Sequence, residues 1–160
     1  KPMAGWKVLV SCLKVGGLMK IGLYSELARQ HIVKMREEIQ QLNTETDHIG
    51  MKRFRNGVIR SKAPHHQLII SSPDFHSMGS LQDLLFHVQE HRFTIPQIQH
   101  CLTKLGLKFC GFEVGIITQD FKRTNPGEDD AYDLIKWHTY EQAHPHAFAG
   151  MYQFWCQKVG

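Results

Sequence analysis

The apolar and polar positions of this chain divide it into short elements, and residues 18–24 form the clearest one. The stretch reads LMKIGLY, with Lys20 as its one charged residue, which is the pattern of a strand covered on both faces. Gly16 and Gly17 precede it and allow the backbone to reverse. Apolar residues on one face of residues 5–14 predict a short helix before this turn. The sequence therefore predicts a helix, a glycine turn and a buried strand in succession.

After the strand, apolar residues recur at alternating spacings of four and three, which indicates an amphipathic helix over residues 25–42. Ser25 is suited to cap it, and the stripe consists of Ala28, Ile32, Met35, Ile39 and Leu42. Residues 44–47 resemble a capping box that starts a second helix, which runs to about residue 59. We interpret the basic residues of this region as a solvated face, with contact to an acidic partner or an anionic substrate as the alternative. They are Lys52, Arg53, Arg55, Arg60 and Lys62.

The remaining chain alternates between helical and extended patterns. Pro64 and Pro73 predict an irregular connection over residues 63–78 with a short extended piece at residues 68–71. Helices are predicted over residues 79–88, 96–105 and 130–143, a polar loop over 120–129, and extended segments over 92–94, 107–117 and 151–158. In segment 107–117 the alternation places Phe109 and Phe112 on different faces. Helices between strands predict a layered α/β fold.

Composition narrows the class of protein. A length of 160 residues suits one domain, and an apolar content of 42% suits a packed core. The net charge of +4 is too small to argue for a nucleic-acid partner. No apolar run approaches the ~20 residues of a membrane span. The four cysteines contain no CxxC pair, so we expect reduced thiols in a cytoplasmic protein.

Three strings resemble the class I S-adenosylmethionine-dependent methyltransferases. They are LMKIGLYSELAR, DFHSMGSLQDLLFHVQEHRFT and MYQFWCQK, and they are similar to one bacterial branch whose members often carry tetratricopeptide repeats. The Gly-Gly turn before a buried strand resembles the family's fifth-strand region, with Val15 in the place of the usual proline. The resemblance covers residues 2–158.

This resemblance implies the carboxyl-terminal half of a Rossmann-like methyltransferase domain. It places strand 18–24 in the middle of the sheet and assigns segments 107–117 and 151–158 to the antiparallel pair that ends the family's sheet. Residues 1–160 would form a single partial domain, in which residues 44–94 are an inserted helical cover. The glycine-rich loop and the acidic residue that hold the cofactor in the family have no counterpart here, since Gly16 and Gly17 precede their strand.

The expected function follows from the same resemblance. The full-length relative would transfer a methyl group from S-adenosylmethionine to an unidentified acceptor, and this chain alone would bind that cofactor weakly and supply no cofactor-binding residue. The alternative is a non-catalytic interaction domain derived from the fold. Because the chain does not begin with Met, we expect a fragment or an unusual reading frame.

We also expect a homodimer through strand 18–24 or helix 6–13, since that strand would lack a neighbour. The alternative is a monomer in which residues 64–94 cover the strand edge. Neither nucleic acid nor a membrane is an expected partner.

The resemblance places an acceptor pocket at the carboxyl end of strand 18–24. Substrate contacts are therefore predicted from that end, from the helix after it and from the cover segment, at Tyr24, Ser25, Glu26, Arg29, Asp74, Phe75 and Asp83. The candidates for a general base are His87, Glu90 and His91. Arg29 is expected to pair with one of the carboxylates. For each of these residues the alternative is a structural role.

The sequence HVQEH at residues 87–91 also matches the inverted zinc-protease motif HxxEH. A protease needs a third ligand, and Glu113, Glu128 and Glu141 have no recognisable setting for it. Neither the pair His65 and His66 nor the later histidines show a ligand spacing; these later residues are His138, His144 and His146. The sequence therefore predicts no metal site.

Overall fold

The computed structural model describes residues 2–86, 90–113 and 115–160. It contains two compact units, one of Lys1–Ala28 with His91–Gly160 and the other of Arg29–Glu90. In chain order the helices and strands are α1 (Pro2–Ser11), β1 (Leu18–Ser25), α2 (Gln30–Gln41), α3 (His48–Arg60), α4 (Pro64–Ile70), α5 (Met78–Leu81), β2 (Arg92–Phe93), α6 (Ile95–Lys104), β3 (Leu107–Phe112), α7 (Ile116–Thr124), α8 (Leu134–Ala143) and β4 (Tyr152–Lys158). Short 3-10 turns lie at Pro73–Phe75 and Asp130–Tyr132, and a π-helical turn lies at Gln82–Phe86.

The first unit is built on a four-stranded mixed sheet in the order β2-β1-β4-β3. Strand β4 is antiparallel to both β1 and β3, while β1 and β2 are parallel. The predicted antiparallel pair at the end of the chain is therefore confirmed. Strand β1 is interior to the sheet, although β2 pairs with it only at Tyr24 and Ser25. The α/β class predicted from the alternating pattern is confirmed.

Strand β3 differs from its prediction because Gly111 has a φ of +105°. The pairing of β3 with β4 shifts between Phe109 and Phe112 at this point, so the two phenylalanines do not alternate between faces. Both are buried, and their ring centroids lie 5.2 Å apart. The prediction that they occupy different faces was wrong, because a bulge cancels the two-residue period of a strand.

Helix α7 (Ile116–Thr124) takes up the first half of the loop predicted over residues 120–129, and the predicted strand 107–117 ends early, at Phe112. Phe121 is fully buried and stacks on Trp137 of α8 at 3.7 Å between ring centroids. Phe121 is the buried residue that anchors α7, and Ile117 of the same helix is partly buried against the same core. Helix α6 follows its prediction, since Thr94 and Gln97 form a capping box at its start and Gly106 ends it with a φ of +63°.

The second unit packs its helices around a core of aliphatic residues and Phe75. Helix α2 begins at Gln30, five residues later than predicted, because Ser25 still belongs to β1. The apolar stripe is buried at Ile32, Met35 and Ile39, as predicted, whereas Leu42 is 67% exposed beyond the helix end. Asp47 caps α3 by accepting a hydrogen bond from the Gly50 amide at 2.7 Å.

The irregular connection predicted over residues 63–78 was wrong. Pro64 occupies the first turn of α4, and Pro73 starts a 3-10 turn. A proline is tolerated in the first turn because the amide it lacks has no partner inside the helix. Leu81, Leu84 and Leu85 are buried as predicted for the next helix, while Val88 lies outside the described residues. None of the helices in the described part of the chain has the length and apolar character that a membrane crossing requires.

Candidate functional site

The carboxyl end of β1 is held by a buried cluster of polar side chains. Ser25 is completely buried, and its hydroxyl donates to Glu141 Oε1 at 2.7 Å while accepting from the Ala28 amide at 3.0 Å. The Tyr152 hydroxyl donates to the same oxygen of Glu141 at 2.5 Å and lies 3.1 Å from Ser25 Oγ. We call Ser25, Glu141 and Tyr152 the hydroxyl–carboxylate cluster.

This cluster is closed to solvent. Glu141 is 1% exposed and Tyr152 is fully buried. Burial, followed by the hydrogen bond to the Glu141 carboxylate, raises the pKa of Tyr152 far above its ordinary value. A substrate from solvent does not reach these groups, so the cluster fixes the end of β1, α8 and β4 relative to one another. Ser25, predicted as a substrate contact, has its hydroxyl engaged in this cluster.

The accessible charged groups at this end of the strand are Glu26 and Arg92. Arg92 Nε donates to Glu26 Oε2 at 3.0 Å, and both side chains are partly exposed. The Glu26 amide donates to the Phe93 carbonyl at 2.8 Å, which ties the two strand ends together. Tyr24 is half-buried and pairs with Arg92 in the strand register. His91, which is exposed, directly precedes Arg92.

In the second unit, Arg29 and Glu90 form a buried ion pair. Arg29 donates through Nε and Nη2 to the two oxygens of Glu90, at 2.8 and 2.7 Å. Arg36 Nη2 adds a third contact at 3.2 Å. The predicted pairing of Arg29 with a candidate carboxylate is therefore confirmed. Both oxygens of Glu90 already accept from guanidinium groups, an arrangement that suits a structural ion pair.

The other predicted residues of this unit do not share one setting. Asp74 and Asp83 are exposed, whereas Phe75 is 2% exposed and belongs to the core. His87 lies outside the described residues, together with Val88 and Gln89, so the HxxEH motif is described only at Glu90 and His91. The substrate contacts and the general base remain predictions.

The second unit also brings together Glu38 of α2 with His65 and His66 of α4. The Nε2 atoms of the two histidines lie 2.6 Å from different oxygens of the Glu38 carboxylate. Burial raises the pKa of Glu38, but the hydrogen bonds to His66 and His65 outweigh it, so the pKa lies below its ordinary value. This is the one group in the described residues whose ligand atoms are close enough to hold a metal ion, within 4.8 Å of one another.

Sequence reasoning missed both of these clusters. A signal for the first exists, because Leu134, Trp137 and Glu141 succeed one another at spacings of three and four. It therefore occupies a position of the buried stripe of α8, where a carboxylate needs a partner. For the second cluster the adjacent histidines give no signal, since neighbours on a helix point about 100° apart. Only the packing of α2 against α4 lets both reach one carboxylate.

Comparison with known proteins identifies a solved structure of similar fold. No protein-family model matches this sequence, and no curated protein matches it either. The chain is similar to the solved structure of PKMT2 from Rickettsia typhi, a protein methyltransferase, with a TM-score of 0.65 and 11% sequence identity. The chain shares the fold of part of PKMT2. The match covers 98% of this chain and 32% of that one, so the chain spans about a third of the length of PKMT2. At this identity the likeness concerns the fold alone.

Proposed function

We propose that this chain is the carboxyl-terminal part of a methyltransferase that transfers a methyl group from S-adenosylmethionine to an acceptor. The observation that carries the proposal is the strand order β1-β4-β3, with β4 antiparallel to both neighbours. This order gives the antiparallel final pair that the sequence resemblance implies. The fold shared with PKMT2 supports the same assignment.

The acceptor side of the reaction falls at the carboxyl end of β1. The hydroxyl–carboxylate cluster holds this strand end rigid, which is what a positioned reaction requires. Glu26 and Arg92 are the partly exposed charged groups beside it and would orient the acceptor. His91 precedes Arg92 and is exposed, and an imidazole nitrogen is a group that can accept a proton as a general base. We assign the role of general base to His91 within this proposal.

The residues present do not fit the cofactor itself. Amides of a glycine-rich turn after a strand, with a carboxylate on the ribose, hold an adenosine cofactor in folds of this kind. Within the described chain, β1 is followed by Glu26-Leu27-Ala28 and β2 by Thr94-Ile95-Pro96, and neither of these two turns contains glycine. Gly16 and Gly17 precede β1, at its amino end. The proposal therefore leaves cofactor binding to residues beyond this chain.

A calorimetric titration of the 160-residue chain with S-adenosylmethionine tests whether the cofactor is bound by residues beyond this chain. We expect no binding in the micromolar range, because the chain supplies neither the glycine-rich turn nor the ribose carboxylate. Titration with ATP, which shares the adenosine moiety, is the control for weak nucleotide binding. Micromolar binding that is specific to S-adenosylmethionine would refute the assignment of the cofactor site to residues beyond this chain.

A second candidate function, a non-catalytic interaction domain, is favoured by one observation at β1. The Gln153 carbonyl of β4 accepts from the Glu113 amide, so Gln153 faces β3 and its neighbour Phe154 faces β1. Phe154 pairs with Ile21, so the amide and carbonyl of Ile21 point towards β4. The amides and carbonyls of the neighbours Lys20 and Gly22 therefore point away from β4, towards the opposite edge of β1. In the described residues, β2 covers that edge only at Tyr24 and Ser25.

The upstream coding sequence separates the two candidates. A strand followed by a GxGxG-like loop before residue 1 supports the enzyme, and the longer polypeptide is then expected to transfer a radiolabelled methyl group to protein acceptors. A stop codon immediately before residue 1 supports the interaction domain and refutes the enzyme proposal for this chain.

A further inference from the structure

The second unit contains a set of metal-binding side chains that the proposed function does not use. We propose that Glu38, His65 and His66 form a binding site for one divalent transition-metal ion, with Zn²⁺ as the best match. The three residues come from two helices that pack together, α2 and α4. The proposal is independent of methyl transfer.

The donor atoms have the chemistry that Zn²⁺ takes from proteins. Two imidazole nitrogens and one carboxylate oxygen form a three-ligand set that leaves a fourth position open in a tetrahedral site. Zn–N and Zn–O bonds of about 2.1 Å place neighbouring ligand atoms about 3.4 Å apart in such a site. The two Nε2–oxygen distances are 2.6 Å here, so the histidines move outward by less than about 1 Å to admit the ion.

The surroundings favour an ion over a pair of simple hydrogen bonds. The three side chains are only partly buried, at 21% exposure for His65, 13% for His66 and 31% for Glu38, so an ion has a route from solvent. Glu38 contributes one negative charge to the set. His66 Nδ1 is buried and has no hydrogen-bond partner among the described residues, so Nε2 is the nitrogen that this ring offers to a ligand. The Nε2 atoms of both imidazoles contact the same carboxylate. Two histidines that bind one ion together with a carboxylate have the same arrangement.

The open coordination position has space beside it. A cavity of about 460 Å³ is lined by Glu38 and His66 together with residues of α3 and of the segment before it, among them Thr44, Arg53 and Phe54. This volume accommodates a metal-bound water or a small anion. Arg53 supplies a positive charge to such an anion. The geometry therefore points to an ion with an exchangeable fourth ligand.

A metal-binding experiment on the untagged 160-residue chain tests the site. The protein is freed of metal with a chelator and titrated with Zn²⁺ in competition with a chromophoric chelator. We expect one tight equivalent, and Co²⁺ at the same site should show the visible absorption of tetrahedral coordination. His66→Ala, His66→Gln and Glu38→Gln should each weaken Zn²⁺ binding by about 100-fold or more, because they remove a direct ligand.

Matched controls separate this site from the other histidines and carboxylates. His100→Ala on α6 and Glu37→Gln, the exposed neighbour of Glu38, should bind Zn²⁺ as the unchanged chain does. Circular dichroism of each variant verifies its fold, and the conservative His66→Gln covers the case in which the alanine variant unfolds. Failure of the unchanged chain to take one equivalent, or equal affinity in the folded ligand variants, overturns the proposal and leaves a hydrogen-bonded Glu–His group.

Discussion

At the scale of single residues, the hydroxyl–carboxylate cluster shows that a buried carboxylate requires hydrogen-bond donors from its neighbours. Ser25 and Glu141 are 116 positions apart in the chain, yet their side chains lie 2.7 Å apart. A buried carboxylate is unfavourable unless donors surround it, and Glu141 obtains them from a serine and a tyrosine. The cluster joins β1, α8 and β4, so its hydrogen bonds contribute to the stability of the sheet.

We expect Tyr152→Phe to destabilise the protein by about 1–3 kcal/mol, because it removes the shortest hydrogen bond to a buried carboxylate. Urea unfolding followed by circular dichroism measures the change. Tyr132→Phe is the matched control, since Tyr132 is 54% exposed and should change the free energy of unfolding by less than about 0.5 kcal/mol. Equal effects of the two substitutions would contradict the role assigned to the cluster.

Tyr140 gives a prediction for alkaline pH. Burial, followed by the hydrogen bond to Asp120 at 2.8 Å, raises the pKa of Tyr140 to about 12. Its pKa is higher in the folded state than in the unfolded state, so its contribution to stability is fully present below about pH 10 and is lost as the pH rises to about 12. The free energy of unfolding should therefore fall over this window.

In Tyr140→Phe this fall should be shallower, because one of the tyrosines that ionise in the unfolded state is absent. Urea unfolding at a series of pH values between about 9 and 12 measures the slope. Tyr132→Phe again provides the comparison. A slope in Tyr140→Phe as steep as in the unchanged chain would show that Tyr140 does not hold its proton in the folded state.

At the scale of elements, the bulge in β3 decides where the aromatic core forms. Gly111 adopts a backbone conformation that side chains with a Cβ rarely take. This conformation turns Phe112 into the core, where its ring lies 4.9 Å from Trp137 and 4.7 Å from Phe148. One glycine thus determines which face of the strand carries the aromatic contacts.

We expect Gly111→Ala to cost about 1–2 kcal/mol, since the positive φ is strained for alanine. Gly57 lies inside α3 with open space around it, so Gly57→Ala should instead stabilise the chain by about 0.5–1 kcal/mol. Thermal unfolding of both variants measures the difference. A stabilising effect of Gly111→Ala would mean that the bulge is not required.

At the scale of the whole molecule, we expect assembly through α1 and through the part of β1 with which β2 does not pair. The exposed apolar residues there include Val8, Leu9 and Leu18, at 63%, 53% and 57% exposure. A strand segment with unpaired backbone groups on one side, next to apolar side chains, is a template for another chain. A two-fold homodimer closes this surface with the smallest number of copies.

We expect light scattering at micromolar concentration to give the mass of a dimer. Leu18→Glu should dissociate a dimer formed through the strand, and Val8→Glu one formed through the helix, because each buries a charge in the interface. Ile116→Glu, at another exposed apolar position, should leave the mass unchanged. A monomer whose Lys20 and Gly22 amides are protected from hydrogen exchange would mean that the edge is covered from within the chain.

The sequence by itself determined the elements whose signals are local. The apolar run of β1, the Thr94 cap and Gly106 end of α6, and the strand pattern of β4 all lie within a few residues of the structure they specify. Their alternation fixed the α/β class, and the order of three similar strings indicated the methyltransferase fold. The resemblance to the methyltransferase branch also gave the expectation that Arg29 pairs with one of the candidate carboxylates, and the structure gives Glu90 as that partner.

The tertiary structure alone decided which distant residues meet. Glu38 reaches His65 and His66 only because α2 packs on α4, and Glu141 reaches Ser25 only because the fold brings α8 to the carboxyl end of β1. Helix α7 forms around Phe121 because Trp137 and Tyr140 supply the surface that buries it. The periodicity of a sequence reports which face of an element is buried. It carries no information on which other element covers that face, and both polar clusters of this protein arise from that choice.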